Sequence, residues 1–203
     1  MEVGIMSFLK RWPLILVSFL FLTNTVYAGA GFLVEPYLGY GFQVTGEDPA
    51  LGVFIDEPAQ VSYNGFDIGA RIGFRMDKFL IGVDGDYMSF KAEYETGGTT
   101  ERREVKKYQF GGYAGIKLNN FSLRATWYFT ANWEFREDGG SYRGDGWGVG
   151  AGYKFWKYIA VNLDYRMFNY DTGYGRFEPG EIILAVSLPF DLGAMGSTEY
   201  DDY

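Results

Sequence analysis

The 203-residue sequence has no cysteine and no histidine, and basic residues are outnumbered by acidic ones, 18 to 26. Without cysteine, a protein exported to an oxidising compartment must be stabilised by something other than disulfides. Without histidine, the usual general base and triad member of hydrolytic catalysis is missing. The acidic balance disfavours nucleic acid as a partner, since binding there depends on neutralising phosphates. No apolar run reaches the roughly 20 residues that cross a bilayer as a helix. Lysine and arginine form no long run, and no low-complexity linker divides the chain.

One apolar run is informative despite being short. Lys10 and Arg11 precede the stretch Trp12 to Leu22, and Val26-Tyr27-Ala28 offers small residues where a signal peptidase cuts. Residues 1–28 are therefore predicted to be a cleaved signal peptide, with Met1 or Met6 as the start. Removing them takes away Glu2, Lys10 and Arg11, leaving 16 basic and 25 acidic residues and a formal charge of −9. The remaining length suits a single domain. It is rich in glycine (29 in the chain) and in aromatic residues, at 20% of the chain.

The aromatic residues fall into a strict order. From Phe121 to Phe135 every odd position is apolar (Phe, Leu, Ala, Trp, Phe, Ala, Trp, Phe), while the even positions include Ser122, Arg124, Thr126, Asn132 and Glu134. This period of two is the signature of a strand with two chemically different faces, held longer than globular strands usually run. Phe66, Ile68, Ala70, Ile72, Phe74 and Met76 alternate with Asp67, Arg71 and Arg75 in the same way. Tyr108, Phe110, Ala114, Ile116 and Leu118 stand against Lys107, Gln109 and Lys117. Phe79, Ile81, Val83 and Tyr87 stand against Asp84 and Asp86, and Ile159, Val161, Leu163 and Tyr165 against Asn162, Asp164 and Arg166. With weaker versions at 32–44, 146–156 and 181–190, the pattern predicts eight strands.

Their connections alternate too. Asp77-Lys78, Asn119-Asn120 and Lys157-Tyr158 are predicted tight turns, and longer polar connections are expected near 45–63, 97–103, 138–145 and 174–180. An even number of antiparallel strands can close into a ring, which is what hydrocarbon demands of a sheet, because every unpaired backbone group there costs several kcal/mol. The odd face of 121–135 is then expected to meet lipid and its even face the interior. A soluble eight-stranded barrel of the lipocalin type would reverse the faces. The full-length aromatic stripe and the aromatics near the turns (Phe74, Phe79, Phe121, Phe155, Phe190) favour the membrane.

In these features the sequence resembles the small eight-stranded bacterial outer-membrane β-barrels, a group that includes outer membrane protein X and the transmembrane part of outer membrane protein A. The resemblance covers nearly all of residues 29–192 and rests on architecture. It implies an all-β, closed, antiparallel up-and-down transmembrane barrel with short turns toward the periplasm and long loops outside, followed by an acidic tail at 193–203. It implies residence in the outer membrane among lipid and lipopolysaccharide, without a cofactor. The barrel-assembly machinery is an implied partner, reading a last strand with Ile182, Leu184, Val186, Leu188 and Phe190 on one face. A non-enzymatic role in envelope structure and surface-loop interactions is expected. A narrow channel or a conduit for hydrophobic solutes is the alternative.

The expected lumen residues are Glu35, Arg71, Asp84, Asp86, Lys117, Arg124, Asp164 and Arg166. An eight-stranded barrel is just wide enough for side chains to fill, so mixed signs there predict an ion-pair network that plugs it. Asp84 and Asp86 could be read as an acid/base pair, but opposing arginines are the expected partners, and outer-membrane hydrolases generally use a histidine. Arg143-Gly144-Asp145 resembles an integrin-binding tripeptide in an expected outer loop. In the first long loop Leu51, Val53, Phe54 and Ile55 form an apolar cluster, expected to cover the mouth or to contact lipopolysaccharide, a ligand or a partner. Residues 87–96 and 127–137 are expected to outrun the membrane and project as an outer sheet.

Overall fold

A computed structural model describes residues 30–49, 59–96, 98–136 and 139–192. Eight long antiparallel strands account for most of them: β1 (Ala30–Thr45), β2 (Ala59–Met76), β3 (Phe79–Thr96), β4 (Thr99–Leu118), β5 (Phe121–Phe135), β6 (Ser141–Trp156), β7 (Ile159–Asp171) and β8 (Gly180–Ser187). Each pairs with its neighbour in sequence. β1 also pairs with β8, through Gly39 opposite Ala185, while its other side pairs with β2 through Glu35 opposite Arg71. The ring is therefore closed and leaves no free edge. Short segments extend it: Glu47–Asp48 pairs with β2, Arg176–Phe177 with β7, and Phe190–Asp191 carries the last strand further along β1.

The three tight turns lie at one end, as expected. Asp77 and Asn119 each take a left-handed φ of 53°, a conformation that short polar side chains tolerate better than most. Lys157-Tyr158 is instead reached through an irregularity between Lys154 and Trp156. Two of the connections at the opposite end are shorter than expected. Thr96 still pairs with Thr99, so the strands run on into most of the expected loop at 97–103, with Gly98 at φ 80°. β6 already begins at Ser141, which places Arg143-Gly144-Asp145 in a paired strand opposite Asn132 and Asp171, and not in a loop. Added ladder hydrogen bonds, joined in the second segment by the burial of Tyr142, outweigh the polar composition of these segments.

The long strands cross two environments, and their side chains change accordingly. Near the short turns the outward face is apolar: Phe66, Ile68, Ile72, Phe74 and Met76 on β2, and Phe79, Ile81 and Val83 on β3, are all exposed. Further along the same face come Ser62 and Asn64 on β2, and Ser89 and Lys91 on β3, also exposed. At that level the inward face turns apolar, with Val61, Tyr63, Met88, Phe90, Ala92 and Tyr94 buried. In hydrocarbon the greasy face belongs outside, whereas in water it belongs inside.

Strand β5 makes this reversal by a different device. Phe110 pairs with Thr130 and Gly111 with Tyr128, so Phe129 is an extra residue, a β-bulge after which the faces exchange parity. Phe121, Leu123, Trp127 and Phe129 face outward, but Ala131, Trp133 and Phe135 are buried inside. The expectation that the odd face meets lipid from 121 to 135 thus holds only up to the bulge. The unbroken apolar row serves lipid below it and the protein core above it.

Because the bulge contributes a surplus residue, deleting Thr130 should restore plain alternation without turning Trp133 outward. The variant is expected to keep the compact form seen on unboiled gels. Deleting Ala125, in the regular part of the strand, should abolish that form; equal damage from both deletions would contradict the bulge assignment.

Candidate functional site

The interior is built from the inward rows of all strands, and it has two layers. In the layer nearer the short turns, Glu35, Arg71 and Asp84 stand directly opposite one another on β1, β2 and β3. Side chains opposite each other on neighbouring strands lie within about 5.5 Å at Cβ, close enough to pair. Arg71 uses all three guanidinium nitrogens. Nη1 donates to Glu35 at 3.1 Å, Nη2 to Asp164 at 2.7 Å, and Nε lies 3.5 Å from Asp84. Its guanidinium carbon also sits 4.4 Å from the Tyr37 ring centroid.

Two further arginines complete the layer. Arg166 Nη1 lies 3.0 Å from Asp86 and 3.4 Å from Asp67. Arg124 donates to Asn162 at 2.8 Å and to Ser122 at 3.0 Å, with Asp164 at 3.4 Å. The Tyr37 hydroxyl joins the two clusters, lying 3.1 Å from Asp84 and 3.3 Å from Asp86. Toward the outer end, Glu181 pairs with Lys107 and accepts from the Tyr63 hydroxyl at 3.2 Å.

So many large polar side chains fit because β6 offers almost none. Gly148, Gly150 and Gly152 lie opposite Arg166, Asp164 and Asn162. A Cβ added at Gly150 would overlap the Asp164 carboxylate, and one at Gly152 would come within 2.6 Å of Ser122 Oγ.

Beyond Glu181 the lining becomes aromatic. Trp133 is fully buried, with the rings of Phe90, Tyr63 and Phe177 at centroid distances of 5.0, 5.1 and 5.1 Å in edge-to-face geometry. Such contacts add about 0.5–1.5 kcal/mol per pair to the hydrophobic term. Tyr170, Phe168, Tyr128 and Tyr142 extend this cluster within the ring.

Residues 14–190 match the family model for the outer membrane protein beta-barrel domain. The chain belongs to this family. No curated protein matches the sequence. Among solved structures, the attachment invasion locus protein Ail of Yersinia pestis, in complex with the heparin analogue sucrose octasulfate, is similar over 78% of this chain and 99% of its own. Its identity is 15% and its TM-score 0.54. Neisserial surface protein A matches over 80% of this chain and 99% of its own at 16% identity and TM-score 0.49. OprG of Pseudomonas aeruginosa matches over 80% and 96% at 10% identity and TM-score 0.48.

For this outer-membrane β-barrel, the short turns mark the periplasmic end and the longer strands the outer end. Seven of the eight residues expected in the lumen meet in the ionic layer: Glu35, Arg71, Asp84, Asp86, Arg124, Asp164 and Arg166. Lys117 lies apart from them, half-buried at the periplasmic mouth. Asp67, Lys107 and Glu181 belong to the interior as well. The first two lie on faces whose parity already marked them as inward. Glu181 is marked inward in the same way, since it immediately precedes the outward row that starts at Ile182. Ile182, Leu184, Val186, Leu188 and Phe190 all face outward. Leu51, Val53, Phe54 and Ile55 lie outside the described residues, as do residues 1–28 and the tail at 193–203.

Replacing Arg166 with Leu would leave Asp67 and Asp86 buried without their cation, a loss expected to cost about 3–5 kcal/mol. Urea unfolding in lipid vesicles should show it as a lowered midpoint. Adding Asp67→Asn and Asp86→Asn should recover most of the loss; a single variant as stable as the parent would contradict the pairing.

Proposed function

We propose that this chain is a non-enzymatic outer-membrane barrel whose lumen is closed by its own side chains, serving envelope structure and presenting its outer end for surface interactions. The filling of the ring is the observation that carries this: the ionic layer passes directly into the aromatic layer, where Trp133, Tyr170 and Phe177 retain no exposed surface. Eight strands enclose little more than the volume of their own inward side chains, and here those side chains are arginine, tyrosine and tryptophan. Paired charges also resist passage, because a solute entering the layer would have to separate ion pairs that have no bulk water to replace their partners.

Asp84 and Asp86 are a poor acid/base pair in this setting. Each is held by an arginine and by Tyr37, and neither stands in an open cleft. The likeness to Ail, at 15% identity, carries the fold and no ligand to this chain.

Export and assembly follow from the same proposal. Residues 1–28 act as the cleaved signal, and the outward row from Ile182 to Phe190 is the strand read by the barrel-assembly machinery. Outer-membrane lipid and lipopolysaccharide surround the apolar band, while surface partners meet the outer end.

Single-channel recording of the mature chain, residues 29–203, in a planar bilayer tests the closed lumen. No reproducible conductance steps are expected. Steady steps that change when Asp84 or Arg124 is replaced would overturn the closed lumen and restore the conduit.

A further inference from the structure

At the periplasmic end the interior opens into a cavity of about 50 Å³, bordered by Arg75 on β2, Lys117 on β4 and Lys154 on β6. That volume admits a few water molecules or one small oxyanion. Its other charged neighbours are already engaged. Asp191 pairs with Arg75 at 3.0 Å, Glu35 is held by Arg71, and Arg124 is held by Asp164 and Asn162. Lys117 and Lys154 line the same cavity, and neither forms an ion pair with any described residue.

The arrangement is unlike the centre of the lumen, where each cation faces carboxylates. Lys154 and Arg75 border the cavity together with Lys117, and the carboxylates that border it, Asp191 and Glu35, are held by Arg75 and Arg71. Two ammonium groups brought together in partial burial repel one another and lose hydration, and an anion between them relieves both penalties. Phe121, one of the outward aromatics near the turns, also borders the cavity. The opening therefore lies at the level where such aromatics meet the lipid headgroups.

We propose that this mouth binds a phosphate-class oxyanion, held by the Nζ atoms of Lys117 and Lys154 with Arg75 as the third cation. Two sources carry that chemistry: the headgroup phosphate of a phospholipid in the inner leaflet, and free phosphate in the periplasm.

The test is a titration of the whole isotope-labelled barrel with inorganic phosphate at constant ionic strength, in a maltoside detergent that carries no phosphate. Backbone amide shifts at Lys117 and Lys154 are the readout. Saturable shifts are expected, and the double variant Lys117→Gln, Lys154→Gln should weaken the apparent affinity by about tenfold or more. The corresponding double Lys→Arg variant should retain binding, and both variants must keep the compact form on unboiled gels. Transfer to phosphatidylglycerol nanodiscs separates the sources. Shifts that appear there without added phosphate, and that blunt the titration, identify the lipid headgroup; an unchanged titration identifies the free ion. Shifts that never saturate in phosphate and do not appear in the lipid, or that survive in the Gln variant, would overturn the site.

Discussion

Backbone hydrogen bonding in hydrocarbon is the constraint on which the rest of this structure depends. A sheet that spans a membrane cannot leave an edge, since each unpaired N–H or C=O would lack any partner. β1 satisfies this by pairing with β2 on one side and β8 on the other. Closing the ring at eight strands also fixes a narrow interior, and the narrowness determines the side chains within it. The glycines of β6 make room for Arg124, Asp164 and Arg166, and the charges of those residues then have to be answered inside the ring. Arg71, bridging Glu35, Asp84 and Asp164, is the clearest result: one guanidinium contacts carboxylates on β1, β3 and β7.

The second determinant is the change of solvent along the strands. Below the headgroup level, lipid takes the apolar face and the interior is ionic. Above it, water takes the polar face and the interior becomes an aromatic core of the kind found in soluble proteins. The two layers meet near Glu181 and Lys107, a fully buried pair whose neighbours include Tyr63 and Phe168. Stability in the outer part thus comes from hydrophobic burial within the ring, which helps explain how the chain does without disulfides.

Much of this was legible in the sequence, because parity is a local property. Asp84, Arg124 and Asp164 could be assigned to the interior by their alternation with Val83, Leu123 and Leu163 alone. The burial of Trp133 could not, since Phe129 and Thr130 contain no glycine or proline to announce a bulge, and the odd positions stay apolar across it. Choice of partner was also hidden: that Arg166 meets Asp67 and Asp86 from across the ring depends on strand stagger, which no single strand encodes. Two of the outer connections were overestimated for a related reason. Thr99 to Arg103 and Ser141 to Asp145 have the polar composition of loops, yet in the projecting sheet they are strands whose ladder hydrogen bonds outweigh that preference.

The reversal of faces in β5 is the most direct point at which to test this account. Single cysteines placed at each position from 121 to 135 can be probed in the folded, membrane-inserted protein with one lipid-phase and one water-phase reagent. The account requires lipid-phase labelling at 121, 123, 125, 127 and 129, and protection at 131, 133 and 135, with the water-phase reagent reaching 132 and 134. Lipid-phase labelling that continued on odd positions through 135 would contradict it, because the strand would then be regular and its upper half would present tryptophan to the membrane.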